Sequence, residues 1–148
     1  MRVLFVCLGN ICRSPGAEAV FAARAHGAGL DVAVDSAGTA GWHVGDPPYD
    51  AMIRAAAVRG YDLGGLRARQ FTVADFAAFG LIVAMDADNL RDIEALRPPG
   101  CQTPAVRFMD YAPQAGAADV PDPYFTRDFE AALDLIELAA RGLVAQLS

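Results

Sequence analysis

Cys7 and Arg13 stand in a Cys-x5-Arg arrangement within Phe5-Val6-Cys7-Leu8-Gly9-Asn10-Ile11-Cys12-Arg13-Ser14-Pro15. A thiol and a guanidinium at this spacing suit the binding of an oxyanion with several equivalent oxygens, such as a phosphate monoester. The N–H groups of Leu8, Gly9, Asn10, Ile11, Cys12 and Arg13 can ring the anion, a helix starting near Ser14 adds its dipole, and the Arg13 side chain adds a planar fork. Lysine would supply the charge without the fork. The same field favours thiolate over thiol at Cys7, and Ser14 can donate a hydrogen bond to it. Gly9 and Asn10 are residues able to take the positive φ values of a tight loop.

A thiolate beneath a bound phosphate points to in-line attack at phosphorus, a thiophosphate intermediate and hydrolysis by water. The departing oxygen then needs a proton, so the chain must bring a carboxylic acid to the mouth of the loop. Cys-x5-Arg alone is short enough to arise by chance. Its weight comes from the buried strand before it and the Ser-Pro helix start after it.

The elements follow from hydrophobic patterning. Val3–Val6 is an apolar run without alternation, as in a parallel strand buried on both faces. Pro15 fits a first helical turn, with Ala17, Val20, Phe21 and Arg24 at helical spacing and Gly27 or Gly29 as the stop. Val32–Asp35 reads as a second strand ahead of Ser36-Ala37-Gly38-Thr39. A helix is expected from Pro47-Pro48 to Gly60, and a short one from the capping-box pattern Thr72-Val73-Ala74-Asp75. Leu81–Met85 is a third strand, Asp88–Leu96 a helix and Ala105–Met109 a fourth strand. Phe129, Leu133, Ile136, Ala140, Leu143 and Leu147 make one apolar stripe along a final helix. The order predicts one domain over residues 1–148: an α/β fold with an open four-stranded parallel sheet, helices on both faces and the phosphate-binding loop after the first strand. Ligands of such sheets bind beyond the C-terminal ends of the strands, where Cys7 falls.

Composition agrees with a compact fold: of 148 residues, 54% are hydrophobic and 20% charged, enough to bury a core without disulfide or metal staples. The net charge of -6 repels nucleic acid and anionic membrane surfaces, so an anionic substrate needs a local cationic pocket. The 3 cysteines are an odd number with no Cys-x2-Cys spacing, which argues against a disulfide framework and a tetrahedral zinc site. Cys101 reads as a reduced, partly buried thiol. The apolar start is too short for a signal peptide or a membrane span, and Leu4-Phe5-Val6-Cys7 has no room for the regions that precede a lipoprotein cleavage site. The expected location is the cytoplasm. The sequence carries no signature of a particular oligomeric state.

Taken with the rest of the chain, the loop resembles the low-molecular-weight protein tyrosine phosphatase family. Cys7 to Pro15 match its phosphate loop. Asp35-Ser36-Ala37-Gly38-Thr39, Ala68-Arg69-Gln70 and Met85-Asp86-Ala87-Asp88-Asn89 match its next blocks, and Val120-Pro121-Asp122-Pro123-Tyr124 matches its acid loop. The resemblance implies phosphotyrosine-bearing proteins as substrates, Asp122 as proton donor and later base, and neither metal nor other cofactor, since Arg13 and the loop amides stabilise the equatorial oxygens. Read without the family, Asp122-Pro123-Tyr124 is an ordinary turn opening the last helix. Trp42, Tyr124 and Phe125 correspond to pocket-mouth positions, although Trp42 by itself equally fits core packing. Phe125 often corresponds to tyrosine in relatives. Asn10, Ser14 and Ser36 resemble the polar network that shapes the family's loop. A common family histidine corresponds to Leu66 here, so support must come from elsewhere, with Arg67 or water as candidates. Cys12 is either a small side chain that fits or, as the family implies, an oxidative partner of Cys7.

Competing readings are weaker. An arsenate reductase of related fold needs further cysteines near the third strand, and residues 80–95 contain none. A protein-arginine phosphatase tends to carry threonine where Ile11 stands. A phosphotyrosine-binding module without turnover would lack the nucleophile or the acid. A nucleotide-binding loop would continue into Gly-Lys-Ser/Thr.

Overall fold

The computed structural model describes all residues, Met1–Ser148. The strands are β1 (Arg2–Cys7), β2 (Ala33–Gly38), β3 (Leu81–Ala84) and β4 (Ala105–Arg107), and the helices are α1 (Arg13–Gly27), α2 (Asp50–Val58), α3 (Asp75–Ala78), α4 (Ala87–Glu94), α5 (Pro123–Thr126) and α6 (Phe129–Leu147). All strand pairs are parallel, in the order β2-β1-β3-β4. The uninterrupted apolar run in β1 has its cause here, because β1 is central and both of its faces are covered. Val3, Phe5 and Cys7 belong to the larger core cluster with α1, α2 and α6 residues. Leu4 and Val6 belong to a smaller one with Phe76 of α3 and Ile93 of α4.

The chain leaves β1 towards β2 and then crosses back over to β3. The sheet's switch point therefore lies between the C-terminal ends of β1 and β3, where a crevice opens in such folds. Cys7 ends β1 and Asp86 follows β3. The Met85 N–H donates to Val6 O at 3.0 Å, and the Val120 N–H donates to Met85 O at 2.9 Å. That second bond carries a distant segment to the crevice and delivers Asp122.

Several boundaries differ from the sequence reading. β2 runs on through Ser36, Ala37 and Gly38, since each pairs with β1: Phe5 with Ser36, Val6 with Ala37 and Cys7 with Gly38. β4 stops at Arg107, and Phe108 and Met109 enter a 3₁₀ turn that places the buried Phe108 ring 5.1 Å from Phe5. α2 starts at Asp50, because Pro48 keeps Pro47 out of the helical region and the Tyr49 N–H is bound to Ile11 O at 2.7 Å. Asp122 opens its own short helix α5, which Arg127 ends in a left-handed conformation (φ 63°) before Asp128 caps α6. The stripe on α6 is confirmed: Leu133, Ile136, Ala140 and Leu143 are fully buried.

Candidate active site

The loop from Leu8 to Cys12 bends around the Cys7 sulfur. Asn10 takes the one left-handed conformation in it (φ 57°), a conformation asparagine tolerates better than most residues. Gly9 does not have positive φ, contrary to the sequence expectation. Its smallness is used instead for close packing, since a Cβ there would lie 3.2 Å from His43 Cδ2. Gly38 has a stricter role. A Cβ on it would lie 2.7 Å from Leu8 O and 3.1 Å from Asn10 N, so the loop can fold over β2 only where no side chain intervenes.

The Cys7 side chain is held from two directions. The Asn10 N–H donates to Sγ at 3.2 Å, and Ser14 Oγ lies 3.0 Å from Sγ. Asn10 Nδ2 donates to Ser14 Oγ at 2.7 Å and to Ser36 Oγ at 3.0 Å. Asn10 Oδ1 accepts from the Arg69 N–H at 3.0 Å. Arg67 does not support this network, because its guanidinium donates to the carbonyls of Gly64 and Leu66. The backbone of Arg69 supports the loop instead, and Glu18 joins the network through Ser36.

The N–H groups of Leu8, Gly9, Ile11 and Cys12 find no acceptor within the protein. Buried N–H groups are otherwise nearly always paired, and successive unpaired amides curved around a point form an anion-binding nest. Arg13 adds to it. Its side chain is almost wholly buried, yet Nε, also buried, donates to no protein acceptor. Nη1 donates to Asp86 Oδ2 at 2.6 Å and to Val120 O at 3.0 Å, while Nη2 lies 3.4 Å from Asp122 Oδ2. The guanidinium is thus pinned along one edge and free along the Nε edge. Burial disfavours its charge, but Cys7, Asp86 and Asp122 outweigh burial and push Arg13 further up.

Asp122 is placed by local chemistry. Its Oδ1 accepts from the Tyr124 N–H at 3.1 Å as the cap of α5, and its Oδ2 faces Arg13. Cys12 is also buried, and its thiol is pushed up to about 12 by burial and by the charges of Asp122 and Cys7. It is a neutral thiol near neutral pH.

Over the loop lies a cavity of about 170 Å³ with Cys7, Ile11, Cys12 and Arg13 at its base and Trp42, His43, Asp122, Tyr124 and Phe125 around it. Trp42 is 73% and Phe125 70% exposed, so neither is a core residue. Tyr124 stands edge-on to both Phe125 and Tyr49, at 5.3 and 5.5 Å between ring centres. A larger groove of about 540 Å³ lies along α1 beside Gly60–Asp62, but it holds no nucleophile.

Three residues of the site had no role in the sequence reading. Asp86 is the clearest, and its position immediately beyond the third strand, ahead of a helix, was a usable signal. His43 also lines the cavity, with Nδ1 3.3 Å from Asp46 Oδ2. Glu18 carried no signal, since it is one helical residue among many until Ser36 is seen beside it.

Comparison with known proteins gives a consistent result. Residues 2–148 match the family model described as low molecular weight phosphotyrosine protein phosphatase. A putative low molecular weight protein-tyrosine-phosphatase of Synechocystis is 47% identical, covering 99% of this chain and 96% of the relative. The crystal structure of YfkJ from Bacillus subtilis superposes with a TM-score of 0.94 at 40% identity, covering 99% of this chain and 94% of that one. A Drosophila arginine phosphatase superposes with a TM-score of 0.93 at 31% identity, covering 100% and 98% of the two chains.

Proposed function

The chain belongs to the low molecular weight protein-tyrosine-phosphatase family, and on that premise we propose that Cys7 is its nucleophile, Arg13 its phosphate clamp and Asp122 its general acid and base. The reaction is hydrolysis of phosphotyrosine through a cysteinyl phosphate. The observation that carries the residue assignment is the set of unpaired donors on the cavity that Cys7 also lines: the amides of Leu8, Gly9, Ile11 and Cys12 and the buried Arg13 Nε. These donors match the equatorial oxygens of a phosphoryl group in transfer, and stabilisation by fixed donors needs no reorganisation during the step.

In the first step the Cys7 sulfur attacks phosphorus, the bond to the phenolic oxygen breaks, and Asp122 protonates that oxygen. In the second step water attacks phosphorus, Asp122 takes its proton, and the thiolate leaves. Ser14 Oγ and the Asn10 N–H stabilise the sulfur both as it arrives and as it departs. Trp42, Tyr124 and Phe125 grip the aryl ring, and Ile11 gives the base of the cavity no hydroxyl for a guanidinium. We read residues 1–148 as one phosphatase domain acting on phosphotyrosine-bearing proteins in the cytoplasm. No helix is long and apolar enough to cross a membrane.

Replacing Cys7→Ser tests the assignment. Turnover of phosphotyrosine should be abolished while inorganic phosphate still binds with near-native affinity. Persistent turnover in that variant would refute the nucleophile. The fold likeness to an arginine phosphatase makes phosphoarginine the control substrate, and a preference for it would overturn the aryl reading.

A further inference from the structure

We propose that Glu18, on α1 outside the reacting cavity, is a positioning residue that fixes the direction of the hydrogen bonds beneath Cys7 and so aims the Ser14 proton at the sulfur. The proposal rests on Cys7 being the nucleophile.

The argument is a count of protons. Ser36 Oγ donates to Glu18 Oε1 at 2.7 Å, and a carboxylate only accepts. With its proton committed there, Ser36 can only accept from Asn10, whose Nδ2 lies 3.0 Å away. The second Nδ2 hydrogen goes to Ser14 Oγ at 2.7 Å, and Asn10 Oδ1 takes the Arg69 N–H at 3.0 Å. Ser14 keeps one proton, with two acceptors in reach: Cys7 Sγ at 3.0 Å and Ala37 O at 3.3 Å. The shorter contact is the sulfur. Every hydrogen of the chain up to Ser14 is thereby assigned, starting from the carboxylate at its outer end, and the Ser14 proton is left available to the nearer acceptor, the sulfur.

Without that carboxylate a second pattern becomes competitive. The Asn10 amide turns over, both serine hydroxyls donate into Oδ1, and the sulfur loses its side-chain donor. Two anchors prevent this: the Arg69 N–H at one end and Glu18 at the other. Leu66 lines the same groove as Glu18 and offers no polar atom to compete for the carboxylate. Asp35 and Arg69 act on Glu18 with opposing charge effects, and His26, Asp31 and Asp62 line that groove. Burial pushes the Glu18 carboxyl up, outweighing the Ser36 hydrogen bond. A protonated Glu18 can donate to Ser36 and reverse the chain, so the device weakens as pH falls.

The test compares Glu18→Leu with Glu18→Gln, reading alkylation of Cys7 by iodoacetamide across pH and the kinetics of p-nitrophenyl phosphate hydrolysis. In Glu18→Leu the acid limb of alkylation should move to higher pH by about one unit and kcat should fall about tenfold with KM little changed. Glu18→Gln keeps an acceptor for Ser36 and should restore most of both. In a Ser14→Ala background Glu18→Leu should add nothing, because the proton it directs is gone. Should Glu18→Leu fail to fold, Ser36→Ala breaks the same link and should move the limb alike. A limb and kcat unchanged in a folded Glu18→Leu, or an equal further loss in the Ser14→Ala background, would overturn the proposal. Wild-type turnover is the separate control for the phosphatase assignment, and the alkylation readout stands without it, so the two readings fail independently.

Discussion

Asp86→Asn is the sharpest probe of how the clamp is held. Asp86 joins Arg13 at 2.6 Å, with the two side chains 22% and 3% exposed, and its other oxygen accepts the Asn89 N–H at 2.7 Å as the cap of α4. Asparagine caps helices as well as aspartate does, so this change removes the charge and keeps the cap. Breaking a fully buried ion pair costs about 3–5 kcal/mol, but Arg13 would retain Val120 O at 3.0 Å and Asp122 at 3.4 Å. The smaller measure is therefore appropriate: a hydrogen bond involving an ionised group contributes about 1.5–3 kcal/mol and a neutral one about 0.5–1.5 kcal/mol. The difference of about 1–1.5 kcal/mol corresponds to about a tenfold loss in kcat/KM. The assay is steady-state hydrolysis of p-nitrophenyl phosphate alongside urea unfolding. Asp86→Ala also removes the neutral hydrogen bond that asparagine keeps, so it should lose roughly a further 0.5–1.5 kcal/mol in kcat/KM and about 1 kcal/mol of stability from the missing cap. If Asp86→Asn keeps kcat/KM within about twofold of wild type, Asp86 does not orient the clamp, and the free Nε edge must be set by the Val120 carbonyl and Asp122.

Two further outcomes are expected. Asp122→Ala should impair aryl phosphates in proportion to the pKa of the leaving phenol, read as a steeper dependence of kcat on leaving group; equal loss for all substrates would make Asp122 only the cap of α5. Burial works to raise the Glu137 carboxyl, but bonds from Tyr61, Arg59 and Arg24 outweigh it and lower it below 4.5. A depressed carboxyl contributes stability present above its unfolded value and lost as pH falls through the folded one. Glu137→Gln should therefore lower Tm near neutral pH by about 2–4 °C for about 1 kcal/mol. The gap to wild type should close as pH falls below the unfolded value; a gap that persists at low pH would show that the loss is of packing.

Much of the protein was legible in sequence because its signals are local. The apolar run Val3–Val6, the stripe on α6 and the Cys-x5-Arg loop each express a period or spacing that one segment satisfies alone, and they predicted the sheet, the last helix and a loop that brings Cys7 and Arg13 to one cavity. The ends of β2 and β4 were misread because pairing partners decided them, and no propensity within those segments contains that information; the start of α2 was set by the Ile11 carbonyl together with a local signal, the restriction that Pro48 places on Pro47. Asp122 became legible only through resemblance; its own residues read as a turn, and the bond from Val120 to Met85 is what carries it to the crevice.

The sequence by itself determined that a thiol and a guanidinium stand with five residues between them in a loop of small and polar residues between a buried strand and a helix. Only the tertiary structure decided how they point. Asp86 pins one edge of Arg13, Gly38 lets the loop close over β2, and Glu18 sits behind Ser36. Hydrogen-bond direction and the pairing of buried charge depend on atoms within a few ångströms, and the fold draws those atoms from segments far apart along the chain.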